Sequence, residues 1–90
     1  MSDKTARQPL STAARSKAQL RKHSITLHGH ATSFSLEDAF YDIIVQIAAQ
    51  NGQSLASLIA MIDDERDRNS NLSSSLRLYA LDWVLSIKTP

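Results

Sequence analysis

Apolar and polar residues alternate from Ser24 to Leu36, in "SITLHGHATSFSL", and the alternation changes phase midway. Ile25 and Leu27 put the apolar side on odd positions, whereas Phe34 and Leu36 put it on even ones. A period of two is the mark of a strand with one face buried. Gly29, at the phase change, fits a bulge or a tight turn between two short strands. A single extended segment this short cannot make a sheet and leaves its edges open. The expectation is that it pairs antiparallel with its counterpart from a second copy, across a two-fold axis. Phe34 and Leu36 then face the helices and Ser33 and Ser35 face outward.

Beyond Leu36 the period becomes helical. Leu36, Phe40, Ile43, Ile44, Ile47 and Ala48 form one apolar stripe, with Ser35, Glu37 and Asp38 as the start signal and Asn51-Gly52 as the stop. A second helix starts at Ser54 and carries Leu55, Leu58, Ile59 and Ile62 on one side before running into "DDERDR", which reads as a solvated helix end. "NSNLSSS" interrupts, and Asn71 or Ser73 caps a third helix reaching about Ile87. That helix is apolar nearly all round, through Leu76, Leu78, Tyr79, Leu81, Trp83, Val84, Leu85 and Ile87, so it needs cover on more than one side.

Size sharpens this picture. Ninety residues allow one domain, and without a flexible leader the remainder is near the lower limit for a self-sufficient core. The chain has no cysteine, which removes disulfides and thiolate metal sites and favours a reducing cytoplasm; oligomerisation is then the remaining support. No apolar run approaches the length of a membrane span.

The net charge of +1 conceals an asymmetry. Residues 1–22 carry Lys4, Arg7, Arg15, Lys17, Arg21 and Lys22 against Asp3 alone, while residues 23–90 carry four basic and eight acidic residues. The first 22 residues, poor in large apolar groups, read as a flexible basic arm, and residues 23–90 as the folded domain. A basic arm on an acidic body seeks a polyanion, docks on an acidic surface, or serves only as a solubilising leader.

The order of elements, carried by "HGHATSFSLEDAF", "NGQSLASLIAMI" and "NLSSSLRLYALDWV", resembles the ribbon-helix-helix proteins of the Arc and MetJ class. The nearest likeness is their short bacterial branch with a third C-terminal helix, over roughly residues 24–87. The resemblance implies a mainly helical fold with one short β-ribbon strand, plus a C-terminal helix, in an intertwined homodimer. It also implies double-stranded DNA as partner, with the ribbon in the major groove and the start of the second helix on a phosphate. Carried over, the outward ribbon positions are Ala31, Ser33 and Ser35, joined by His30, and the phosphate clamp is Gly52 to Leu55, with Ser54 supplying its hydroxyl. Alanine and serine discriminate bases less than the bidentate donors Arg, Lys, Gln and Asn. Either the protein recognises DNA weakly through the ribbon and relies on its arm, or the fold serves another purpose. The expected dimer interface is Ile25, Leu27, Thr32, Phe34, Leu36, Phe40, Leu58, Ile59, Ile62 and Trp83.

Catalytic and metal chemistry find little support. His23, His28 and His30 have no cysteine or sequence-adjacent carboxylate to complete a ligand set, and read as polar strand residues or, when protonated, phosphate donors. The serines of "NLSSS" have no nearby His and acid to activate them, and two glycines cannot make a phosphate-cradling loop. The expectation is a cytoplasmic bacterial transcription regulator without cofactor, metal or enzymatic activity, a homodimer or tetramer. The alternative is an adaptor or antitoxin-like protein that uses the fold for dimerisation and its C-terminal helix for a protein partner.

Overall fold

The computed structural model describes residues 9–88, and of Lys88 the backbone alone. A short helix α1, Thr12–Ser16, is followed by strands β1, Leu20–Leu27, and β2, His30–Glu37, and then by helices α2, Asp38–Asn51, α3, Leu55–Glu65, and α4, Leu72–Lys88. The architecture is the expected one, mainly helical with a short β-ribbon and a third helix after the helix pair.

The origin of the ribbon differs from the expectation. Its two strands come from one chain: β1 and β2 form an antiparallel hairpin in which Lys22 lies opposite Ser35, Ser24 opposite Ser33 and Thr26 opposite Ala31. The phase change at Gly29 is the turn itself. His28 (φ 52°) and Gly29 (φ 80°) both have positive φ, as a two-residue type I′ connection requires. Glycine adopts this conformation freely, and histidine is among the side chains enriched there. Reversing the chain over two residues keeps Ile25 and Leu27 on the same side as Phe34 and Leu36 although their parities differ. β1 also starts earlier than the sequence suggests, because Leu20, Arg21 and Lys22 pair with Glu37, Leu36 and Ser35.

The inner face of the hairpin covers the helices. Leu27, Phe34 and Leu36 join Ile44, Ile47 and Ala48 of α2, Leu58, Ile59 and Ile62 of α3, and Leu72, Leu76 and Ala80 of α4 in one buried cluster. His23 completes that face as a flat filler, stacked on Tyr41 at 4.1 Å and on Phe34 at 5.2 Å between ring centroids. Its buried Nε2 has no hydrogen-bond partner among the described residues.

Helix ends follow local chemistry. Gly52 caps α2 in the left-handed conformation (φ 67°), Ser54 Oγ accepts the Ser57 N–H at 3.0 Å at the start of α3, and Asn71 Oδ1 accepts the Ser74 N–H at 2.7 Å at the start of α4. The start of α2 departs from the expected serine cap. Ser35 is still in β2, Glu37 takes the cap position without a side-chain bond to the helix's own N–H groups, and the N–H groups of Asp38 and Ala39 donate to the carbonyls of Gln19 (3.0 Å) and Lys17 (2.9 Å). The acidic end of α3 is also shorter than expected. The helix stops at Glu65, and Arg66 turns back to donate to Asp63 Oδ1 and to the Ser70 carbonyl, both at 2.7 Å.

Candidate nucleic-acid interface

With the inner face committed to the core, alternation leaves the other face of the hairpin to solvent. Lys22, Ser24 and Thr26 of β1 and Ala31 and Ser33 of β2 are exposed there, and Ser35 is half-buried. Ala31, Ser33 and Ser35 are the outward positions expected from the sequence, and the hairpin brings them together. His30, opposite Leu27 beside the turn, is exposed but has the parity of the inner face. Ser24 and Thr26 were missed as surface residues of the ribbon, although the signal lay in their alternation with Ile25 and Leu27. Lys22, assigned to the arm, is a strand residue on this face.

Part of the outer edge of β2 is occupied, and so is the turn. On β2, the Ser35 N–H donates to Ser73 Oγ of α4 at 3.2 Å, and Arg77 of α4 meets Glu37 through Nε at 2.8 Å. That hydrogen bond, helped by the Glu37 backbone N–H, holds the Glu37 carboxyl below the usual range. At the turn, His28 Nε2 lies 2.9 Å from Asp64 Oδ1 of α3. The ligand atoms of His28, Asp63 and Asp64 lie within 4.8 Å of one another, which brings carboxylates from α3 to a histidine that has none nearby in sequence. Existing contacts account for this cluster, since His28 engages Asp64 and Arg66 engages Asp63.

The arm cations divide into three groups. Lys4 and Arg7 lie outside the described residues. Lys17 and Arg21 are engaged on the acidic side of α2: Lys17 Nζ is 2.8 Å from Asp42, and Arg21 Nε is 2.9 Å from both carboxylate oxygens of Asp38. The hydrogen bond and charge of Asp42 hold the Lys17 ammonium above the ordinary lysine range. Arg15 and Lys22 are exposed and make no ion pair with a described residue.

At the N-terminus of α3, Gly52 to Leu55 form the turn expected to clamp a phosphate. Ser54 is exposed and already caps the helix, while Asn51 Nδ2 donates to Gln53 Oε1 (3.0 Å) and Gln53 Nε2 to Ser57 Oγ (3.2 Å) across the turn. Of the residues expected at a dimer interface, Leu27, Phe34, Leu36, Leu58, Ile59 and Ile62 are buried within the single chain, and Ile25, Thr32, Phe40 and Trp83 are half-buried. The large apolar residues left exposed include Leu20 on the ribbon and Leu78, Leu81, Leu85 and Ile87 on α4.

No described helix is long and apolar enough to cross a membrane. Among solved structures, the chain is similar to an uncharacterized protein from Bordetella pertussis Tohama I, with 34% identity and a TM-score of 0.70. The similarity covers 82% of this chain and 63% of that one, so the chain spans less than two thirds of its solved relative. No curated protein matches. The ribbon-helix-helix domain family matches over residues 20–84, from the first residue of β1 into α4, and the chain belongs to that family.

Proposed function

We propose that the protein is a homodimeric DNA-binding transcription regulator of a bacterial cytoplasm. It lays the outward face of its hairpin in the major groove and holds phosphates with arm cations and the start of α3. The observation that carries this reading is the exposed row Lys22, Ser24, Thr26, Ala31 and Ser33, opposite a face that buries Leu27, Phe34 and Leu36 in the core. The major groove admits a two-stranded ribbon. Serine and threonine hydroxyls bond to several bases, and alanine and threonine methyls pack on thymine, so this face reads sequence with modest discrimination while lysine adds backbone attraction. The reading has no catalytic step and uses no cofactor.

The test is duplex binding as a function of salt. If about six cations of a dimer engage phosphates, log K falls with log salt at a slope of about −5. Lys22→Ala makes that slope shallower, and Ser24→Ala and Ser33→Ala alter preference among duplex sequences. A flat salt response, or affinity indifferent to all three substitutions, overturns the reading.

A second reading, a protein-interaction adaptor, is favoured by α4, where Leu78, Leu81, Leu85 and Ile87 are exposed and Leu78, with Ile62 and Tyr79, lines part of a groove of about 500 Å3. Leu81→Glu separates the two. Loss of self-association assigns the face to a second copy, and a soluble dimer that loses a protein partner supports the adaptor.

A further inference from the structure

The segment before the ribbon is basic, yet two of its cations are already paired within the chain. Lys17 reaches Asp42 and Arg21 reaches Asp38, both acids lying on one side of the first turns of α2. The backbone takes part as well. The carbonyls of Lys17 and Gln19 accept the N–H groups of Ala39 and Asp38, which have no side-chain cap of their own. One stretch of chain thus both caps α2 and lays its positive side chains on α2 carboxylates. A carboxylate offers a cation what a phosphate offers, a fixed negative oxygen at hydrogen-bond distance.

From this arrangement, and resting on the DNA-binding reading above, we propose that the acidic side of α2 is an internal substitute for DNA phosphate. Asp42 and Asp38 hold Lys17 and Arg21 in the free protein, and DNA must displace them before those cations can contribute. The Lys17–Asp42 contact is the exposed one and suits an exchangeable hold, whereas Asp38, 20% exposed and bonded through both oxygens, keeps Arg21 more firmly. The side chains of Lys17 and Asp42 are each about half exposed (52% and 54%), and such pairs are held weakly enough for phosphate to compete. The capping bonds keep the backbone in place while the side chains exchange, so the arm does not have to be released as a whole. Deleting residues 1–22 would uncap α2 as well as remove cations, which makes single charge substitutions the sharper probe.

The full chain carrying Asp42→Asn is compared with wild type for binding a random-sequence duplex and heparin. The gain expected is about two- to fivefold, the range an exposed ion pair can hold back. In a Lys17→Gln background the same Asp42→Asn change gives no gain, because its effect runs through Lys17. Asp82→Asn, at an exposed acid on α4, supplies the gain due to net charge alone and is smaller. A gain that persists in the Lys17→Gln background, or that matches the Asp82→Asn gain, overturns the proposal. Acetylation of the Lys17 amine, followed by mass spectrometry without any polyanion, tests the hold by itself, because it needs the side chain and not the capped backbone to come free. Faster acetylation in Asp42→Asn supports it even if the duplex assay fails, in which case the DNA reading falls instead. Unchanged acetylation overturns the hold and leaves DNA binding standing.

Discussion

Leu36→Ala tests whether the hairpin is part of a single-chain core. Leu36 is fully buried at the end of β2, among side chains of the helices. Truncating a leucine in such a place costs about 3 kcal/mol or more, through lost transfer energy and an unfilled cavity. A domain of this size holds about 4 to 10 kcal/mol in total. With a urea dependence of about 1 kcal/mol per molar, the midpoint of unfolding falls by about 3 M, readable by far-UV circular dichroism. Ser33→Ala, on the exposed face of the same strand, changes stability by no more than about 0.5 kcal/mol. The contrast between residues three apart on one strand is the content of the prediction, because it depends on which face meets the core. A cost below about 1 kcal/mol for Leu36→Ala, or a Ser33→Ala cost equal to it, refutes the assignment of faces. Repeating the titration at tenfold dilution adds a second reading, since a midpoint that moves with concentration shows that the dimer and not the chain is the folding unit.

Ser54→Ala removes the cap of α3 and lowers stability by about 1 kcal/mol, whereas Ser54→Gly costs a few tenths; urea midpoints of the two variants separate capping from bulk. The Glu37–Arg77 pair makes a pH-dependent contribution. Because Arg77 depresses the Glu37 pKa, the stability it provides is fully present above the usual carboxylate range and is lost as pH falls through the depressed value. The penalty of Glu37→Gln therefore shrinks as pH is lowered from neutral into the acid range, and a penalty that grows on acidification contradicts the pairing.

Most of the fold was legible because its signals are local. The stripe from Phe40 to Ala48, Gly52 at the end of α2, Ser54 before α3 and Asn71 before α4 each declare themselves within one or two turns of chain, and the structure has them where their chemistry puts them. The strand register was half legible. The phase change around Gly29 held the information for a hairpin, but a His-Gly turn is a weaker signal than Asn-Gly or Asp-Gly, and the pairing of Leu20 to Lys22 has no alternation to announce it. The candidate interface divides in the same way. Ser33 and Ser35 followed from parity, and Ala31 from the family resemblance. Ser24, Thr26 and Lys22 became members of that face once β1 was known to lie beside β2. What the sequence could not show is which cations are taken. The pairing of Lys17 with Asp42 spans 25 positions between residues whose nearness depends on the chain returning along α2. The start of α2 was misjudged for a related reason, since its caps come from the backbone of Lys17 and Gln19, which no side-chain motif encodes.

The bond from the Ser35 amide to Ser73 joins residues 38 apart. During synthesis β2 leaves the ribosome well before the helix that covers its outer edge, so the nascent chain presents an unsealed strand until α4 follows. A chain interrupted in the loop after α3 would keep that edge open and lose the cover of Leu72, Leu76 and Ala80 together. A chain truncated before α4 is therefore expected to aggregate more readily than the full chain, which sedimentation of the two at equal concentration checks.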